Sequence, residues 1–534
     1  MSKVQSVDKS LARARKAAKD AEWATAHACY QSVLERFPGN KRAKQGMDAL
    51  RPVALPALLK LTQAAQSSRK WAAAEQHLTV AVALAPEMLY LGLALAECQM
   101  QMRRAPAALI TLDDILERAP GNPEALNQKG RALRWMGRGD DAQACFQSAL
   151  GHATTDAQTL RNLGILARGQ GNNSAATEYY RRAIALQPKN IELHRNLAQV
   201  ITYTKGEPHM DEMRALLASS DQTDTATAPL YFALFKALDD LNQPAEAFAF
   251  LEKGNQLTKA ALGYDFQKNA MTAALSKTLF QKPVDKAEET GGLRPIFVTG
   301  LPRSGTTLVE RILARASGVQ PCGELSVAQT ATVRLLRTLT ARPHKALTRD
   351  DIKGLRAELL QGFAEYSDGS PFLVDKTPLN FLWIGYICAA LPEARIIHLS
   401  RDPMAVAWSV YSRSFDGAGN GFAYNPADIA RFMVLHGDLM AHWRAVFPGR
   451  IFDLNYEELV SNPEKITHAM AEATGLEWSP DWLTPEQATN QVLTASADQV
   501  RKPIYRDSNK QWKRYEAQLA PMVHALSEVG LVPR

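Results

Sequence analysis

Two rhythms divide the chain. Up to about residue 280, small and apolar positions recur at helical spacing and repeat as a block. Pro86 and Pro120 lie 34 residues apart and Pro188 lies 68 further on, with Thr154 in the slot between them. At the same interval Gly130 matches Gly164, Ala142 matches Ala176, Phe146 matches Tyr180 and Ala149 matches Ala183. From residue 295 the pattern changes. Short apolar or β-branched runs at 296–299, 372–374, 395–399 and 451–454 alternate with helical patterns at 308–316, 379–391, 403–411 and 456–470. That alternation predicts a mainly parallel sheet covered by helices on both faces, with ligands taken at the carboxyl ends of its strands. Between the two rhythms, QKPVDKAEETGGLR at 281–294 is polar and charged and reads as a linker. The expected division is therefore 1–280, 281–294 and 295–534.

The 34-residue block resembles the tetratricopeptide repeat, whose small-x-x-x-aromatic element stands here at Ala142/Phe146, Ala176/Tyr180 and Ala26/Tyr30. Small residues let the paired helices cross closely, and the aromatic fills the gap beside them. The register loosens around Pro52 and Pro56 and again after Pro188, before a further helix pair over 230–259. The expected first domain is an all-α solenoid whose groove holds a peptide or docks another domain.

In the second domain the run at 296–299, the turn GLPRSGTT at 300–307 and the helix after it form a strand, a glycine-bounded loop and a helix start. Unpaired backbone N–H groups and the positive end of the helix dipole converge there and favour an anion. Gly300 and Gly305 have the separation of a nucleotide P-loop, but Thr306 stands where that loop has its lysine, so the grip of a kinase or ATPase on a triphosphate is missing. Arg303 and Ser304 supply a cation and a hydroxyl instead. The pattern PxRSGTT resembles the 5′-phosphosulfate loop of sulfotransferases, which use 3′-phosphoadenosine 5′-phosphosulfate (PAPS) as donor. The resemblance implies donor contacts from Arg303, Ser304, Gly305, Thr306 and Thr307.

Further stretches are similar to tyrosylprotein sulfotransferases in the same chain order. Arg401, in SRDP, and Ser409, eight residues later, resemble the element that grips the donor's 3′-phosphate. Cys322-Gly323-Glu324 resembles a Cys-Gly-Glu whose glutamate is the catalytic base, and Lys376, in DKTP, matches a catalytic lysine. Tyr456, in NYEEL, matches a tyrosine that contacts the cofactor, while Ser496 and Lys502 lie in SADQVRKP, similar to Ser-x-Asp-Gln-Val-x-Lys-Pro. The implied catalytic set is Glu324, Lys376, Arg303 and Ser496, and the implied donor set adds Arg401, Ser409, Tyr456 and Lys502. The resemblance spans 294–534 and departs at Leu325 and Ser326, where those enzymes carry groups that help bind an acidic peptide.

This set suits the chemistry. An acceptor hydroxyl needs a carboxylate base within hydrogen-bond reach, and the departing bridging oxygen needs preorganised donors. No metal is called for, since carboxylates and histidines do not cluster along the sequence. His398 reads as a core or supporting histidine, and Trp383, Tyr386 and Trp408 as packing.

Charge narrows the alternatives. Residues 1–290 hold 36 Lys and Arg against 30 Asp and Glu, leaving 26 against 25 for the rest, so a broad nucleic-acid surface is not expected beside the loop. Five scattered cysteines without a C-x-x-C give no disulfide framework and fit a reducing compartment. No run approaches the ~18 apolar residues of a membrane span. The expectation is a cytoplasmic, repeat-fused, PAPS-dependent sulfotransferase. A protein tyrosine held by the repeats is the first acceptor expected, and a glycan or lipid hydroxyl the second. An inactive nucleotide-binding adaptor is the rival from another class.

Overall fold

The computed structural model describes residues 6–68, 70–153, 156–282, 292–342, 346–415, 418–488 and 507–531. Most of the expected linker, 283–291, lies outside the described residues, as do Thr154, Ser496 and Lys502. The chain divides into two compact units, Met1–Asn162 and Leu163–Arg534.

Among its described residues the first unit is helical and built from antiparallel pairs such as Val7–Lys19 with Trp23–Arg36 and Pro123–Trp135 with Gly139–His152. The repeating glycine is explained by its partner. A Cβ on Gly130 would lie 2.5 Å from the Phe146 ring, and one on Gly46 would lie 2.3 Å from the Tyr30 ring. Asn40 and Asn122 start their helices by accepting the N–H of Ala43 at 3.0 Å and of Ala125 at 2.9 Å. The irregular stretch around Pro52 and Pro56 is one 27-residue helix, Lys41–Ser67, with both prolines inside it. Each proline removes a helical N–H. Leu50, Ala54, Leu55 and Leu58 form a buried stripe that keeps the helix continuous.

The second unit opens with the last repeats, where the Gly164 Cβ position lies 2.4 Å from the Tyr180 ring. Next to them is a buried polar chain. Tyr203 Oη lies 2.7 Å from His209 Nδ1, His209 Nε2 lies 3.0 Å from His194 Nδ1, and His194 Nε2 lies 2.8 Å from the Pro188 carbonyl. The carbonyl can only accept, so His194 donates to it from Nε2, and a neutral His209 that donates from Nε2 to His194 accepts at Nδ1 from Tyr203. Burial, reinforced by His194, pulls His209 down to about 3. Its folded value is depressed, so the stability that it contributes is complete above pH ~6.5 and drains away as pH falls toward ~3. Hydrogen exchange in Ile191–Ala198 and Pro208–Ala218 should lose protection between pH 7 and 4.5, after correction for intrinsic rates; flat protection would contradict the neutral chain.

The helices Ala228–Asp240, Pro244–Leu262 and Phe266–Leu279 follow. Phe232, Phe235, Leu251 and Phe280 from this segment share one apolar core with the sheet's covering helices. Lys259 pairs with Asp428 at 2.7 Å and Tyr515 donates to Asp239 at 2.5 Å.

The sheet has five parallel strands in the order β2-β3-β1-β4-β5 among the described residues, where β1 is Arg294–Gly300, β2 Val319–Pro321, β3 Phe372–Asp375, β4 Arg395–Ser400 and β5 Ile451–Asn455. Successive residues face opposite sides. Ile296, Val298, Val374 and Ile397 enter one core with Val309, Ile312 and Trp482, while Phe297, Leu373 and Ile396 enter the other. Both faces are thus covered, and the apolar runs read as continuous for that reason. Trp383, Tyr386 and Trp408 lie in the second core. The helical pattern at 379–391 resolves into a 3-10 turn, Pro378–Trp383, and a helix, Ile384–Ala390. The pattern at 456–470 is two helices, broken where Pro463 cannot donate an N–H.

Candidate active site

Strand register brings the site together. Gly300 pairs with Leu399, Phe297 with Asp375 and Ser400 with Asn455, so the turns that follow β1, β3, β4 and β5 leave the same edge of the sheet. Those turns carry the phosphate loop, Lys376, Arg401 and Tyr456 respectively.

The loop is tight. Gly300 has φ +152° and its Cβ position lies 2.6 Å from the Leu399 carbonyl oxygen. Gly305 has φ +109°, and a Cβ there would lie 2.5 Å from the Tyr456 ring. Arg303 is held at φ +71°, a left-handed conformation that costs a non-glycine residue roughly 1–2 kcal/mol. The helix Thr306–Leu313 starts directly from Gly305, which has no side chain to cap it, and its N-terminal end, with the positive end of its dipole, faces the loop. Ser304 is buried, and its Oγ has no hydrogen-bond partner among the described residues. An orphaned hydroxyl beside a helix start suits the oxygen of a bound phosphate or phosphosulfate.

A second group flanks the loop. Arg303 Nε donates to Ser409 Oγ at 2.9 Å, and Arg401 Nη1 donates to the Arg303 carbonyl at 2.9 Å. The Arg401 guanidinium lies 4.4 Å from the centroid of the Tyr456 ring, and its Nε donates to Asn509 Oδ1 at 2.8 Å. Glu457 accepts from the Asp402 N–H at 3.0 Å and from Asn509 Nδ2 at 2.5 Å. Ser409 lies two helical turns beyond Arg401, and the helix Pro403–Tyr411, capped by Asp402, folds it back onto the loop. Arg303, Ser409, Arg401 and Tyr456 therefore form one cluster.

The third group holds the carboxylates. Lys376 is wholly buried, with Nζ 2.9 Å from Glu324 Oε1 and 4.0 Å from Glu310 Oε2. Glu324 has 37% of its side chain exposed and Glu310 only 6%, so Glu324 is the carboxylate that a solvent-borne group can reach. Burial pulls the Lys376 ammonium down, but Glu324 and Glu310 outweigh it and hold the amine above its usual value. Burial pushes Glu310 up, partly offset by Lys376. Asp375, buried at the end of β3, is pushed up to about 7 by desolvation against the hydrogen bonds of Thr377 and Asn380.

Sequence reasoning missed Glu310, Asn509 and Arg311. Arg311 is buried and donates to the carbonyls of Pro485 at 2.9 Å and Ala488 at 2.8 Å. In LVERIL both charged residues look like a solvated pair, and only partners distant in sequence identify them. His398 is a core histidine, with Nδ1 2.7 Å from Asp453 and Nε2 3.0 Å from His436. Among the described residues, His194, His209 and Glu212 bring three ligand atoms within 4.8 Å of one another, but the histidine nitrogens are already engaged in the Tyr203 chain.

Residues 295–480 match the family model described as "Sulfotransferase family", and residues 65–127 and 121–189 match tetratricopeptide repeat models. Over residues 295–480 the C-terminal domain is thus similar to the sulfotransferase family. An uncharacterized protein of Aquifex aeolicus is 28% identical over 523 residues, covering 95% of this chain and 67% of that one. The protein-tyrosine sulfotransferase 2 of Gallus gallus is 23% identical over 232 residues, covering 41% of this chain and 62% of that one. The chain spans only 51% of the Drosophila melanogaster protein-tyrosine sulfotransferase, at 24% identity over 43% of its own length. Among solved structures, the sulfotransferase domain of a Synechococcus olefin synthase aligns at 20% identity with a TM-score of 0.30, over 43% of this chain and 91% of that one. The three side-chain groups lie at the sulfotransferase domain's strand ends. No helix among the described residues is long and apolar enough to cross a membrane.

Proposed function

We propose that the chain is a PAPS-dependent sulfotransferase that transfers a sulfuryl group to an acceptor hydroxyl, and that this acceptor is a protein tyrosine. The observation that carries the reading is the Glu324–Lys376 pair, 2.9 Å apart, with the exposed carboxylate and the buried cation beside the helix that begins at the phosphate loop. PAPS, when bound, supplies the activated sulfuryl group. Ser304, Thr306, Thr307 and the helix start hold the 5′ end, and Arg401 and Ser409 hold the 3′-phosphate, with Tyr456 and Lys502 completing the donor contacts. Glu324 takes the proton of the acceptor hydroxyl as the new S–O bond forms. Lys376, Arg303 and Ser496 donate to the bridging oxygen, which receives the electron pair of the breaking bond.

A protein acceptor is favoured by the fused repeats, whose helix pairs suit peptide docking. In the first unit a cavity of ≈ 480 Å³ is lined by Arg15, Lys19 and Arg42 together with Trp23 and Tyr30, a setting for an acidic segment with an aromatic side chain. Incubation with sulfur-labelled PAPS and a lysate should release adenosine 3′,5′-bisphosphate and leave label on protein, recovered at tyrosine. Label confined to glycan or lipid would overturn the tyrosine acceptor, and absence of any bisphosphate release would overturn the transferase reading.

A further inference from the structure

We propose that Glu310 is a positioning residue of the transfer reaction, remaining as the counter-anion of Lys376 once Glu324 has accepted the acceptor's proton. This rests on the sulfotransferase reading above. Glu310 stands in the middle of the helix that starts at the phosphate loop. Its Oε1 accepts the Gly323 N–H at 2.8 Å, and its Oε2 lies 4.0 Å from Lys376 Nζ. The backbone closes the same circuit, because the Lys376 N–H donates to the Gly323 carbonyl at 2.9 Å. One buried carboxylate therefore links the loop helix, the turn that presents Glu324, and the lysine.

The reaction explains why a second carboxylate is needed. Before transfer, Lys376 faces two carboxylates, with Asp375 adjacent in sequence and held by Thr377 and Asn380. During transfer the acceptor's proton passes to Glu324, the sulfur–acceptor bond forms, and the electron pair of the sulfur–bridging-oxygen bond leaves with the bisphosphate. Glu324 is then neutral and no longer an ion partner. A wholly buried ammonium without a counter-charge tends to lose its proton. Glu310 is too buried to meet an acceptor, so it takes no part in that proton transfer and stays beside Lys376, with Oε2 4.0 Å from Nζ and Oε1 on the Gly323 N–H. The lysine thus stays a hydrogen-bond donor to the departing oxygen. Arg311, the next residue, also acts on Glu310 and favours its charged form.

The test is Glu310→Gln, whose amide oxygen can still accept the Gly323 N–H while the charge is lost, with Glu310→Ala as the variant that loses both. Binding of adenosine 3′,5′-bisphosphate to the full chain is measured by calorimetry at pH 7 and pH 10, alongside the thermal midpoint. At pH 7 the Gln variant should bind as tightly as the parent or more tightly, because a like charge near the phosphates has gone. From pH 7 to pH 10 it should lose affinity several-fold more than the parent, because its lysine has one counter-charge fewer and gives up its proton at a lower pH. Identical pH dependence in parent and Gln variant would overturn the role, whether or not the thermal midpoint falls. A parent that binds no bisphosphate at either pH would overturn the donor reading and this role with it.

Discussion

Glu324→Gln lowers sulfuryl transfer by ~10²–10⁴-fold while leaving bisphosphate binding near the parent's. That range is the usual contribution of a positioned general base. The amide is nearly isosteric and its oxygen can still accept from Lys376 Nζ, which stands 2.9 Å from the carboxylate, so the local packing has no reason to change. What the amide cannot do is take a proton. Initial rates of bisphosphate release, paired with calorimetric binding, separate these effects. A variant that turns over at the parent's rate would remove Glu324 from the chemistry. One that loses binding and turnover together would show that the side chain holds the site's shape instead.

Arg401→Ala weakens bisphosphate binding by ~100-fold, the second large effect. A hydrogen bond to a charged group contributes roughly 1.5–3 kcal/mol, so losing one or two to a phosphate spans that range. Arg401 also fixes its neighbours. It donates to the Arg303 carbonyl at 2.9 Å, where the backbone is held at φ +71°, and its guanidinium lies over Tyr456. Ser409→Ala removes one neutral hydroxyl and should cost only ~10-fold or less, leaving Arg303 Nε without the partner it has at 2.9 Å. Calorimetry on the two variants should therefore rank them in that order. Equal and unchanged affinities would place the 3′-phosphate elsewhere.

Much of this arrangement was legible in the chain because it depends on local pattern. The loop from Gly300 to Thr307 is bounded by glycines that only a positive φ explains, and the strand patterns at 296–299, 372–374, 395–399 and 451–454 coincide with β1, β3, β4 and β5 to within a few residues. Strand β2, three residues long, carries too little sequence to have a period. The long helices Val327–Thr340, Arg349–Ala364 and Pro426–Val446 were not singled out, although their apolar positions enter the same core as Phe297 and Leu373. The repeat register loosens around Pro52 and Pro56, yet tertiary burial of Leu50, Ala54 and Leu58 carries one helix through them.

Glu310 and Asn509 were illegible for a different reason. Each is an ordinary polar residue locally, and each acquires meaning only from a partner far along the chain: Lys376 and Gly323 for the glutamate, Arg401 and Glu457 for the asparagine. Contacts of that kind leave no periodic trace. The segment Phe232 to Phe280 shows the same limit, since helical spacing reveals an apolar face without saying which core receives it.

In the proposed reaction one pocket holds the donor between the glycine-bounded loop and the Arg401 cluster, with Glu324 at its open side. A crystal structure of the full chain with adenosine 3′,5′-bisphosphate tests it most directly. The 5′-phosphate is expected on the N–H groups of Thr306 and Thr307 within reach of Lys376, and the 3′-phosphate on Arg401 and Ser409. A bisphosphate bound away from Arg303, or one whose 3′-phosphate contacts neither Arg401 nor Ser409, would contradict it.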